Sequence, residues 1–124
     1  MGDYAPKYHF GDHTNWLTST VVTGGQVVEI TGDGTVGTTG GASALVVGVA
    51  SRDAAIGKRI EVVRVGIQRL VASAAITRGA ALKTAAQGRV APMTVGTDPH
   101  TQLVGIALTA ATNPGDVIDV LWKA

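Results

Sequence analysis

The feature that most constrains this chain is that it repeats itself. Leu45-Val46-Val47-Gly48-Val49-Ala50 returns as Leu103-Val104-Gly105-Ile106-Ala107. Each copy then runs into a second matched piece, Gly57-Lys58-Arg59-Ile60-Glu61-Val62 and Gly115-Asp116-Val117-Ile118-Asp119-Val120. Upstream, Val22-Thr23-Gly24-Gly25-Gln26-Val27-Val28 aligns with Ile76-Thr77-Arg78-Gly79-Ala80-Ala81-Leu82, and Gly34-Thr35-Val36 with Gly88-Arg89-Val90. Ile76 follows Val22 by 54 residues, Val104 follows Val47 by 57 and Ile118 follows Ile60 by 58. Loop insertions produce such a drift. Two copies are too few for a solenoid. The reading is one domain of two related β units, about residues 17–72 and 73–124.

β rather than α follows from which residues carry the repeat. Val, Thr and Ile number 17, 15 and 7 among 124 residues, and 17 glycines are spread between them. β-branched side chains fit a pleated surface and lose rotamer freedom in a helix. Leu45 to Ala50 is almost wholly apolar, which marks a strand covered on both faces. Helix competes only between Gln68 and Ala86, where alanine is frequent. There the repeat decides for strand, because Ala80-Ala81-Leu82 aligns with Gln26-Val27-Val28. Pro114-Gly115 supplies a type II turn, proline presetting φ and glycine taking the positive φ. The expected fold is all-β, a compact sandwich or barrel with little helix.

Residues 1–16 lie outside this pattern and read as an extended N-terminal arm. Four of the five aromatic residues are here, Tyr4, Tyr8, Phe10 and Trp16, with Pro6 among them. Rigid aromatic side chains suit interface anchors. Such an arm either packs on another protein subunit or folds back over its own domain. The segment has no apolar core of a signal peptide, and no run approaches the ~18 apolar residues of a membrane helix. No membrane partner or classical secretion is expected.

Motifs that suggest chemistry weaken on inspection. Gly32-Asp33-Gly34-Thr35-Val36-Gly37 matches a dinucleotide fingerprint, but residues 37–44 lack the helix whose amides would hold a pyrophosphate. His9 and His13 sit at helical spacing beside Asp12, yet Pro6 and Gly11 oppose a helix and no third zinc ligand is near. There is no cysteine and no nucleophile elbow. Glu61 and Asp119 fall at equivalent repeat positions on the solvent side of a strand. The expectation is no enzyme, no cofactor and no metal.

Charge is sparse, at 15% of residues with a net of +1. Arg52, Lys58, Arg59, Arg64 and Arg69 nevertheless form a local basic run. No aromatic residues interleave with it for base stacking, so an acidic protein surface fits it better than nucleic acid.

Ile76 to Lys83, Gly88-Arg89-Val90, Leu103 to Ala107 and Gly115 to Val120 together resemble the small capsid cement or head decoration proteins of tailed bacteriophages. The resemblance covers roughly residues 17–122. It implies a structural virion protein, made in the host cytoplasm, that forms a homotrimer on the outer capsid surface. There it would bind the major capsid protein at threefold and quasi-threefold sites and hold the shell against internal pressure. The alternative reading is a monomeric β-barrel binding module for nucleic acid or carbohydrate. The Gly/Thr-rich stretch 37–44 has no counterpart in the second copy and takes no role in either reading.

Overall fold

The structure is a computed structural model that describes residues 13–123. The described chain forms ten strands: β1 (His13–Thr18), β2 (Val27–Gly32), β3 (Thr35–Thr38), β4 (Val46–Ala50), β5 (Arg59–Val63), β6 (Ile67–Val71), β7 (Ala81–Ala85), β8 (Arg89–Pro92), β9 (Gly105–Ala107) and β10 (Val117–Trp122). One 3-10 turn, His100–Gln102, is the sole helical element among the described residues. The all-β expectation holds, including the contested alanine-rich segment, which supplies β6 and β7.

The repeat is a repeat of topology. β1 to β5 close a barrel in the order β1-β3-β2-β4-β5, with β1 parallel to β3 and antiparallel to β5. β6 to β10 form a sheet in the order β6-β10-β9-β7-β8, the same neighbours strand for strand. A parallel bridge between Ala72 and Val90 draws its two ends together, where the first unit pairs Thr18 with Val36. Loop hydrogen bonds recur as well. Ser19 N–H donates to Val36 O at 2.9 Å and Ser73 N–H to Val90 O at 2.8 Å. The bridges Val22–Ala54 and Ile76–Ala111 form another matched pair.

Two boundaries differ from the sequence reading. The repeat pattern puts β6 at the end of the first unit; in the structure it pairs with β10 and stands where β1 stands in the first. The junction therefore lies at residues 64–66, not 72/73. The sequence pattern puts residues 13–16 in the arm; in the structure they begin β1, and Trp16 is paired with Ile60 of β5. Their pattern was hidden because two inward positions of β1, Thr14 and Thr18, are polar. The hydroxyls are satisfied locally: Thr14 Oγ1 accepts Trp16 Nε1–H at 2.7 Å, and Thr18 Oγ1 donates to Ala55 O at 2.7 Å. A buried hydroxyl with a partner costs little.

Each unit has its own core. Val22, Val28, Val36, Ala50, Ile60 and Val62 fill the first, and their equivalents Ile76, Leu82, Val90, Ala107, Ile118 and Val120 contribute to the second, which Trp122 joins. β4 explains the unbroken apolar run. The register shifts where Val28 faces Gly48 but Glu29 faces Val46, so Val47 is the extra residue of a bulge. Val47 and Ala50 then meet the first core, while Val46 and Val49 meet the second. Leu45, expected inside the strand, precedes it and is exposed.

The 37–44 stretch joins the two units. Thr39 Oγ1 donates to Ala85 O at 2.9 Å, and Gly40 bridges Ala86. Thr84 Oγ1, fully buried on β7, donates to Gly41 O at 2.8 Å and accepts Ser43 N–H at 2.9 Å. Thr84→Val keeps the shape but strands two backbone groups in a buried seam. A loss of about 2 kcal/mol in urea-unfolding free energy is expected; an unchanged midpoint would count against the seam.

Candidate interaction surface

Side chains proposed from sequence as contacts are distributed over several places. Tyr4, Pro6, Tyr8 and Phe10 lie outside the described residues. Trp16 is half-buried against the first core, at the position Leu70 takes in the second unit. It is thus a part of the barrel wall. Arg52 and Arg59 do meet, Arg52 Nη2 donating to Arg59 O at 2.7 Å across the β4–β5 connection. Lys58 is exposed beside them, its backbone N–H held by Thr18 Oγ1 at 3.1 Å. Arg64 is exposed on the link between the units. Arg69 stands apart on β6, opposite Asp119 of β10 with 4.0 Å between the charged groups. The five cations therefore form one cluster of three and two outliers.

A cleft of about 560 Å³ runs between the units. The Thr23–Gln26 turn lines one side. Arg69, Val71, Val117 and the Gln87–Arg89 turn line the other. Arg89, the first residue of β8, lies outside the Arg52–Arg69 run and has no contact role in the sequence reading. Arg69 and Arg89 bring two cationic side chains to a lining that also holds Val71 and Val117, a combination that suits a carboxylate. Gln26 anchors the cleft across the junction, its Nε2 donating to Gln87 O at 3.1 Å.

The fingerprint-like Gly32–Gly37 stretch is the β2–β3 hairpin, with Gly34 at φ +72° in the turn and no helix after it. Among the described residues no three His, Asp or Glu side chains gather as metal ligands, and no helix is long and apolar enough to cross a membrane. His13 opens β1. Glu61 is exposed on β5, as its repeat position implied.

One carboxylate is tuned by its surroundings. Asp98 Oδ2 accepts Thr94 N–H at 2.8 Å and Lys83 Nζ at 3.1 Å, tying the Pro92–His100 loop to β7. The Thr94 amide first, and Lys83 second, hold its carboxyl below the ordinary aspartate value. A depressed folded-state pKa gives stability that is present above the unfolded value, about 3.9, and is lost as pH falls through the folded one. Wild type should therefore melt higher than Asp98→Asn at neutral pH. The gap should close as the pH drops below that range, which a series of melting curves reads directly.

Comparison with known proteins follows the fold closely. A family model described as phage cement protein matches residues 9–122. Among solved structures, the chain resembles the N base of the head fiber protein gp8.5 of bacteriophage phi29. The TM-score is 0.68 at 17% identity, over 90% of this chain and 92% of that one. At that identity the likeness is one of fold. No curated protein matches the sequence.

Proposed function

The chain belongs to the phage cement protein family, and we propose that it coats the outside of a tailed-phage capsid as a homotrimer. In this reading it binds the major capsid protein at threefold and quasi-threefold positions and ties neighbouring capsid subunits together. The carrying observation is the family match over residues 9–122, which takes in both β units and the residues just before β1.

The physical role is adhesion, and the fold suits it. Each of the two hydrogen-bonded units has its own core. The arm, residues 1–12, carries Tyr4, Tyr8 and Phe10 as anchors for the capsid lattice. Arg52, Lys58 and Arg59 offer a basic corner to an acidic capsid surface. Three arms on one trimer act together, so weak single contacts become a durable hold through effective concentration. The work is done by binding alone, on the outer face of the virion, after synthesis in the host cytoplasm.

The test is co-sedimentation of the protein with expanded heads that lack it, alongside light scattering of the free protein. A trimer that pellets with heads is expected. A monomer that ignores heads but binds polyanions in a salt-sensitive way would replace this reading with a binding module, for which the Arg69–Arg89 cleft is the natural site.

A further inference from the structure

The two units close differently at one point, and the difference leaves a strand edge bare. In the first unit Leu17 N–H donates to Gly34 O at 3.3 Å and Ser19 N–H to Val36 O at 2.9 Å, which ties β1 to β3. In the second unit Ser73 N–H still reaches Val90 O at 2.8 Å, but Gly88 O accepts Val27 N–H at 3.0 Å across the junction. The carbonyl equivalent to that of Gly34 is thus spent on the first unit and not on Val71. Among the described residues β6 pairs along its length with β10 alone, and its other side meets β8 through the Ala72–Val90 bridge. The phase of the ladder says which groups are left. Ala72 N–H donates to Asp116 O at 2.8 Å and Trp122 N–H to Gly66 O at 3.0 Å, so the even-numbered residues of β6 face β10. Ile67 and Arg69 turn their N–H and C=O groups, and Val71 its N–H, to the open edge. The β6–β10 pairing runs without a register shift and β6 contains no proline, so neither bulge nor proline blunts this edge.

We propose that the free edge of β6 takes an added β-strand, an extended segment of a shell protein that carries Asp or Glu. It rests on the capsid-coating reading and names what the protein grips on the head. The occupant's chemistry follows from two independent features. The first is the row of backbone donors and acceptors, which another strand matches through main-chain hydrogen bonds. Nucleic acid would answer nearby cations but not this row. The second is charge. Arg69, Val71, Gly88 and Arg89 all line the inter-unit cleft of about 560 Å³, and no acidic residue is among its lining residues. Arg89 forms no ion pair among the described residues; its Nε donates to Ala86 O at 3.0 Å, which leaves both terminal nitrogens for a ligand. Arg69 has Asp119 at 4.0 Å, with 82% of the arginine side chain exposed. Such a pairing contributes little in water and leaves Arg69 able to take a second carboxylate. A strand laid along β6 therefore meets its hydrogen-bond partners and two cations at one place.

The test uses the full chain and expanded heads that lack it. Amide hydrogen exchange, read by mass spectrometry, compares peptides spanning β6 in the free protein and on heads. Exchange there should be fast in the free protein and slow by on the order of 10-fold or more on heads, as an open edge becomes a ladder. Co-sedimentation supplies the second readout. Arg69→Gln and Arg89→Gln should each weaken binding to heads by on the order of 10-fold, the loss of one hydrogen bond to a charged group. Arg78→Gln removes the same charge from an exposed turn away from the cleft and should pellet like wild type. Arg69 is too exposed for its replacement to disturb folding, which covers the case in which Arg89→Gln misfolds. Wild type that pellets with β6 exchange unchanged, or folded arginine variants that pellet as well as wild type, would overturn the assignment and leave the coating reading intact. Protection of β6 in the free protein that disappears on dilution would give the edge to a second copy and also overturn it. Wild type that ignores heads would remove the coating reading, and this proposal with it.

Discussion

Gly48→Ala is expected to destabilise the protein by on the order of 3 kcal/mol, with a fall of about 10 °C in Tm. A Cβ at Gly48 would stand 2.6 Å from Val63 O and 2.6 Å from Val62 Cγ1. The first of these is backbone of the adjacent strand, so relief requires β4 and β5 to separate at the point where Val49 pairs with Val63. The Val-Gly pair recurs because the constraint recurs. At Gly105 a Cβ would strike Leu121 O and stand 2.8 Å from Val120 Cγ1, the equivalent atoms of the second unit. Gly105→Ala should therefore cost a similar amount. Gly25→Ala is the control. Gly25 has φ +89° but nothing within 4 Å of its Cβ position, so only the left-handed backbone penalty of about 1 kcal/mol applies. Urea unfolding followed by circular dichroism ranks the three. If Gly48→Ala were no worse than Gly25→Ala, close strand approach would not be the reason for the repeated glycine.

Deleting residues 2–12 should leave folding and trimer formation intact and reduce head coating by 100-fold or more. The estimate follows from losing Tyr4, Tyr8 and Phe10 from each of three arms, at about 2 kcal/mol for one strong anchor. The cut must stop at residue 12. Removal through residue 16 would also take most of β1, which pairs with β5 from His13 to Leu17 and carries the Trp16–Thr14 hydrogen bond. The longer deletion should lose stability as well as coating, so the two truncations separate binding from folding. Coating that survives the shorter cut undiminished would assign the hold on the capsid to the basic corner or the cleft.

How legible the structure was in the sequence varies element by element. The repeat was legible because glycine turns and apolar strand centres survive divergence. It gave the all-β class, resolved the alanine-rich segment as strand and exposed the Gly32–Gly37 fingerprint as a hairpin. β1 was not legible, since Thr14 and Thr18 occupy inward positions that a hydrophobic pattern expects to be apolar. With β1 illegible, the pattern leaves its equivalent, β6, at the end of the first unit. The role of the 37–44 stretch as a seam was not legible for another reason. Its hydroxyls and amides bond to Thr84, Ala85 and Ala86, more than 40 residues away, and no local pattern encodes that partner. The basic run was only partly a surface feature, because strand pairing carries Arg69 to the second unit and brings Arg89 beside it.

The central claim is that this chain is an adhesive for a phage shell, and one measurement addresses it most directly. Purified protein is mixed with expanded heads that lack it, and the particles are imaged by cryo-electron microscopy and reconstructed. The account predicts three-lobed density on the outer surface, at the threefold and quasi-threefold positions, with each lobe fitted by the paired β units. Bare heads, or density confined to any other site, would contradict it.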